Sequence, residues 1–311
     1  MEIREFYFAG AEKTELPAVV YLPQGEPIAL VQVAHGMTEH IGRYGALAES
    51  LTARGIALAG FDLRGHGKNP GDPDCASFGN GGWEKSLEDM RCFSAELAQT
   101  FPGIPHFMLG FSLGSFLLRD FLNRFDTPLA GAAILGTGQQ PGAILSLLLS
   151  VVNGQIRKSG WDVSTPLVEN LSFGTYNRKF TPNRTAADWL CADTAELDAY
   201  LADPLCRKKI SSGLFAQLLD AMRRTGGKSA YQNWNRNLPV LLLSGQDDPV
   251  GDGGKGVLAV QKAMQKAGIS HLTVELFAEA RHDLQHEEQS GTAANAREAL
   301  ITWILQNLAK E

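Results

Sequence analysis

An α/β protein, with a mostly parallel central sheet flanked by helices and interrupted by an inserted helical lid, is predicted from three observations. Short apolar runs alternate with longer stretches of helical spacing; the 311 residues can bury a large core; and the alternation fails once, for about a hundred residues. The break is placed at 139–237, leaving 1–138 and 238–311 as the core.

The opening "MEIREFYFAG" reads as a first strand, followed by strands at 18–22 and 29–36. "RYGALAESLTARG" (43–55) has helical apolar spacing and stops at Gly55. "IALAGFD" (56–62) is continuously apolar, as a strand buried on both faces should be. A loop rich in Gly, Pro and Asp leads to a helix at 83–101, a strand at 106–110, a helix at 113–125 and a strand at 131–138. The segment 139–237 is irregular and helical, carries Trp161, Trp189 and Trp234, and offers no convincing strand. A lid over the carboxyl edge of the sheet is expected there. The rhythm resumes with a strand at 238–245, a helix at 254–268, a strand at 271–279 and a helix at 294–310.

A net charge of −6 without clustered cations leaves no footprint for a phosphate backbone, so nucleic acid is not an expected partner. Cys75, Cys92, Cys191 and Cys206 lie far apart with no C-x-x-C pair, which argues for free thiols in a reducing cytoplasm and against a zinc cage. The amino terminus lacks the pattern of a secretory signal. The longest apolar run, Ala143 to Val152, is shorter than the ~20 residues of a spanning helix. It is expected to form lid core, although an apolar face left exposed would also dock onto lipid aggregates.

Chemistry enters at "HFMLGFSLGSFLLRDF" (106–121). Gly110-Phe111-Ser112-Leu113-Gly114 between a strand and a helix is the pattern of a nucleophile elbow, a turn so tight that small residues are needed two positions either side of the serine. A neutral serine is a weak nucleophile and needs a histidine base and an orienting carboxylate. In this type of fold the order is serine, acid, histidine, so His35, His40 and His66 come too early. His106 and His271 open strands and face the wrong edge. Of the remaining two, His282 stands closer to its strand end than His286. "SGQDDPVG" supplies the acid after the insertion: the pattern Gly-x-x-Asp from Gly245 selects Asp248, with Pro249 fixing the turn beyond it, and Asp247 is read as a turn residue. An oxyanion hole would take the amides of Leu113 and of Met37, where Gly36 permits close approach.

The blocks "HGMTEHIGRY" (35–44), "FDLRGHG" (61–67), "GFSLGS" (110–115), "GQDDPVG" (245–251) and "RHDLQHE" (281–287) together resemble the α/β-hydrolase group of monoacylglycerol lipases and lysophospholipases, also described as serine aminopeptidase-like. The likeness runs from about His35 to the end, with the insertion similar in position and size only. It implies Ser112 as nucleophile, Asp248 as acid, His282 as base, Met37 and Leu113 as oxyanion donors, and no catalytic role for Asp62 or His66. It also implies hydrolysis of a lipid-like monoester through an acyl-enzyme, with neither metal nor organic cofactor.

The same machinery would serve a thioesterase, or an aminopeptidase whose lid acids, such as Asp188, Asp193 or Glu196, grip a free amine; the fold also serves as a small-molecule receptor. "GDGGKG" (251–256) fits a dinucleotide fingerprint but does not follow its strand directly. "TGGKS" (225–229) lacks the first glycine of a phosphate loop, Met222 standing there.

Overall fold

The computed structural model describes residues 1–69, 71–207, 209–227 and 229–309. In chain order the elements are β1 (Glu2–Ala9), β2 (Glu15–Leu22), β3 (Ala29–Ala34), α1 (Gly45–Thr52), β4 (Ile56–Phe61), β5 (Cys75–Ala76), α2 (Gly82–Thr100), β6 (His106–Phe111), α3 (Leu113–Arg124) and β7 (Gly131–Leu135). Then come α4 (Gly142–Ser159), α5 (Pro166–Ser172), α6 (Thr194–Ala202), β8 (Lys209–Ile210), α7 (Ser212–Thr225), β9 (Val240–Gly245), α8 (Lys255–Lys266), β10 (Leu272–Phe277) and α9 (Thr292–Leu308).

Eight strands form one sheet in the order β1-β2-β4-β3-β6-β7-β9-β10. Every pair from β4 to β10 is parallel, and β1 and β2 join antiparallel at one edge. The central strands are buried along their length, with apolar side chains on both faces, because helices cover both sides. Leu47 and Leu51 of α1 and Leu300 and Ile304 of α9 pack on one face; Phe93 of α2, Leu117 and Phe121 of α3 and Val260 of α8 pack on the other. Chain order and sheet order part company at β3, which pairs with β4 on one side and β6 on the other. The crevice beyond the carboxyl ends at such a point is where ligands bind in open α/β sheets.

The helix expected at 43–55 is split into a 3-10 turn, Ile41–Tyr44, and α1. The final helix ends at Leu308; residue 310, included in the sequence expectation, lies outside the described residues, as does Lys228 of the "TGGKS" run. "GDGGKG" instead turns the chain into α8, with Gly254 left-handed at φ +87.

Between β7 and β9 the chain is mainly helical, with one departure from expectation: β8 pairs in parallel with β5, Cys75 opposite Lys209 and Ala76 opposite Ile210. A two-residue ladder is too short to leave an alternating pattern in the sequence. Local caps set the helix starts: Thr165 accepts from the Val168 amide, Asp193 from Ala195 and Glu196, and Ser211 from Leu214. The run 143–152 is divided between core and surface. In α4 Leu145 and Val152 are buried, Leu148 and Leu149 pack half-buried against the core, and Leu147 and Val151 face solvent. Helix α7 fastens the segment down through Leu214, Leu218 and Leu219. Arg119 of α3, fully buried, adds a polar staple: its guanidinium donates to Gly138 O and Thr225 O and to the hydroxyl of Tyr231.

Candidate active site

Ser112 sits between β6 and α3 with φ +50 and ψ −115, a conformation that costs a non-glycine residue on the order of 1–3 kcal/mol. Close packing around the elbow explains its glycines. A Cβ on Gly114 would strike the carbonyl oxygen of Ala34 at the end of β3, and one on Gly110 would strike that of Gly114. The Ser112 amide still bonds to Leu135 O at 3.0 Å, so the elbow remains tied to the sheet.

The loops after β9 and β10 bring the other two groups to the same edge. His282 Nε2 lies 2.8 Å from Ser112 Oγ, and His282 Nδ1 lies 3.0 Å from Asp248 Oδ1, close but poorly aligned for a hydrogen bond. Asp248, fully buried, accepts from the Val250 amide at 2.8 Å and from Ser244 Oγ at 3.3 Å. Burial alone would lower the pKa of His282; the charge of Asp248, joined by those of Asp283 and Glu39, outweighs it, and the net displacement is upward from 6.5. Phe111 and Trp189 close over the imidazole, with ring centroids 5.0 and 5.2 Å away.

Met37 and Leu113 line the same small cavity as Ser112, and among the described residues neither backbone amide has an acceptor. Leu113 opens α3, so the positive end of that helix faces the site. Met37 sits in a turn closed by Glu39, whose Oε1 accepts from the Gly36 amide and the Tyr44 hydroxyl.

Beneath His282 lies a charge cluster that the sequence did not announce. Arg43 Nη2 is 2.9 Å from Asp283 and its Nε is 3.4 Å from Glu39. His286 directs Nδ1 at both oxygens of Asp283, 2.9 Å each, and Nε2 at the Arg43 carbonyl at 3.0 Å. Both ring nitrogens thus face acceptors, which calls for protons on both, and the cluster balances as two anions and two cations. Burial opposes the imidazolium, Asp283 favours it more strongly, and the pKa of His286 is raised. The Asp283 carboxyl is in turn held down at about 2, against its burial, by His286 and Arg43. The four-residue spacing of Glu39 and Arg43 was visible in "HGMTEHIGRY"; their partners, some 240 residues away, were not.

The remaining candidates have other work. His35 and His66 are fully buried with pKa values near 3, lowered by burial, and bond to neighbouring backbone groups. Asp62 accepts from the Ile41 and Lys68 amides, holding two loops. Asp247 pairs with Lys179 at the surface. Asp188 and Asp193 cap local turns, and neither lines a cavity at the site.

Two cavities meet at Ser112, sharing Met37, Phe173 and Trp189. The smaller, about 170 Å³, is walled by Leu145, Leu148, Leu171, Phe215 and Leu219. The larger, about 540 Å³, carries Thr38, Asn170, Tyr200 and Arg207 among its lining residues. Most of both walls comes from the segment between β7 and β9.

The sequence profile of the serine aminopeptidase, S33, family matches residues 25–289. The chain is 27% identical over 291 residues to the monoglyceride lipase of Homo sapiens, covering 92% of this chain and 86% of that protein. It is 25% identical to a monoacylglycerol lipase of Mycolicibacterium smegmatis, over 78% of this chain and 79% of the relative. In fold it resembles a carboxyl esterase from Bacillus coagulans, with a TM-score of 0.87, 22% identity and 99% of each chain covered. A monoacylglycerol lipase from Paleococcus ferrophilus superposes with a TM-score of 0.72 at 22% identity, over 94% of this chain and all of that one.

Proposed function

This chain belongs to the serine aminopeptidase, S33, family of α/β-hydrolases, and from that premise we propose that it hydrolyses a lipid-like carboxylic monoester, a monoacylglycerol or lysophospholipid, through an acyl-enzyme on Ser112. The observation that carries the reading is the continuous chain from Ser112 Oγ through the imidazole of His282 to the buried carboxylate of Asp248, opening where two cavities join.

His282 takes the proton as Ser112 attacks the ester carbonyl, and Asp248 stabilises the resulting imidazolium. The Met37 and Leu113 amides receive the negative charge that develops on the carbonyl oxygen. His282 then protonates the departing alcohol, activates a water on the opposite stroke, and releases the acid. The leucines and Phe215 around the smaller cavity suit an acyl chain, and the Thr38, Asn170 and Tyr200 side chains on the larger one suit an alcohol with hydroxyls. Residues 139–237 act as the lid in this reading. An ester is favoured over a peptide with a free amine because Asp188 and Asp193 are spent on backbone amides and Glu196 lines neither cavity.

Among the described residues no helix is long and apolar enough to cross a membrane. Its free thiols suit a reducing, cytoplasmic setting, and the exposed apolar face of α4 suits transient contact with a lipid surface. The test combines a fluorophosphonate probe with a substrate series. Labelling that maps to Ser112, with turnover of monoacylglycerols above that of amino-acid anilides, is expected. Labelling on another serine, or faster anilide cleavage, overturns the reading.

A further inference from the structure

Thr38 follows the Met37 amide directly, and its backbone is left-handed at φ +65, a conformation that a β-branched side chain resists and turns usually give to glycine. The strain is released if the Met37–Thr38 peptide turns over. Such a flip rotates Met37 about its own Cα, and the amide proposed above as an oxyanion donor hangs from that same atom. Something must therefore hold this peptide in place.

A chain of hydroxyls does so. Thr38 Oγ1 donates to Met37 O at 2.5 Å and lies 2.7 Å from the phenol oxygen of Tyr200. A threonine hydroxyl has one hydrogen; with that proton on the carbonyl, Oγ1 can only accept, so Tyr200 is the donor. Burial pushes the Tyr200 phenol upward, which keeps the donated proton in place over the working pH range. The Tyr200 ring is fixed in its turn by Arg43, whose guanidinium carbon lies 4.8 Å from the ring centre. Three residues on, Asp203 reaches His40 Nε2 at 2.8 Å, a second clasp between the same two segments. Tyr200 lies on α6, 162 residues from Thr38 in sequence.

We infer that Tyr200 is a positioning residue for acyl transfer: through the Thr38 hydroxyl it holds the strained turn that aims the Met37 amide at the oxyanion. The segment over the sheet thereby supplies part of the catalytic geometry as well as the cavity walls. The inference rests on the proposed roles of Ser112 and Met37.

Tyr200 also lines the larger cavity, so a direct contact with the leaving alcohol is the rival explanation. A p-nitrophenyl butyrate assay separates the two, because its leaving group has no alcohol hydroxyl to bind. Deleting an oxyanion donor costs ~10²–10³ in kcat, and loosening one should cost part of that, so Tyr200→Phe is expected to lower kcat ~10-fold with KM within ~2-fold. Thr38→Ala should lose as much, Thr38→Ser should restore most of it, and Tyr200→Phe with Thr38→Ala should be no worse than either alone. Full activity of Tyr200→Phe on this ester, a change in KM alone, or losses that multiply would overturn the inference. Should Tyr200→Phe not fold, the Thr38→Ala and Thr38→Ser pair makes the same comparison. Wild-type protein that neither turns over the ester nor labels at Ser112 sinks the underlying reading; an active wild type beside an unaffected Tyr200→Phe sinks only this one.

Discussion

In β3, β7 and β9 every residue is buried, whereas α4 and α5 bury two residues each and α6 buries one. The sheet carries Ser112, Asp248 and His282 on its strand ends, and the segment over it lines the cavities. The contrast has a physical reason. Proton transfer tolerates errors of a few tenths of an ångström, which only a close-packed scaffold can guarantee. Substrate selection needs a wall whose shape can change without disturbing that scaffold. The elbow shows how little the sheet can yield: a Cβ on Gly114 would strike the backbone of β3.

If chemistry belongs to the sheet, the largest effects should come from its edge. Ser112→Ala is expected to lower ester turnover by ~10⁶ while leaving the melting transition near that of the wild type. Substantial residual hydrolysis by the pure variant would move the nucleophile elsewhere. Asp248→Asn should cost ~10⁴ in kcat, since the amide supports the wrong imidazole tautomer. Its neighbour Asp247, paired with Lys179 at the surface, is the internal control: Asp247→Asn should change kcat less than ~3-fold, in keeping with the small worth of exposed ion pairs. The opposite ranking would exchange the roles of these two acids.

A pH profile sharpens the same point. In its proposed role as base His282 must be neutral, and its pKa is displaced upward from 6.5, so kcat/KM should fall with acid through a midpoint above that value and level off on the alkaline side. Asp248→Asn removes the charge that raises it, so the residual activity should titrate at lower pH. A midpoint unmoved by that change would mean that the cluster beneath, Asp283 and Glu39 included, sets the titration of His282 instead.

The division between sheet and covering segment also marks what the sequence makes legible. Apolar runs, the helix spacing and the glycines around Ser112 each have a local physical cause, so the fold class and the place of the elbow can be read residue by residue. The balance of Glu39, Arg43, Asp283 and His286 depends on distances between two distant stretches, and the Tyr200 contact depends on how α6 lies against the turn at Thr38. Neither leaves a local pattern. The run "AILSLLLSVV" failed as a guide for the opposite reason: when nearly every residue is apolar, periodicity cannot tell the buried stripe of α4 from the exposed one.

That exposed stripe gives the smallest expected effect on chemistry. Leu147 is 67% exposed and Val151 41%, one helical turn apart on α4, and neither lines a cavity at the site. Apolar area held in water on this scale is costly unless something covers it, at ~25 cal/mol per Å². Arg157 and Lys158 follow at the helix end, as on helices that lie in a lipid interface. Changing both Leu147 and Val151 to Ser should therefore leave kcat/KM on a soluble short-chain ester unchanged, yet reduce co-sedimentation with phosphatidylcholine vesicles several-fold. Equal sedimentation would make the stripe a plain outer surface. A fall in soluble-ester activity would show that α4 also sets the geometry of Ser112, so that the cover would reach the chemical edge at a second place besides the clasp from Tyr200.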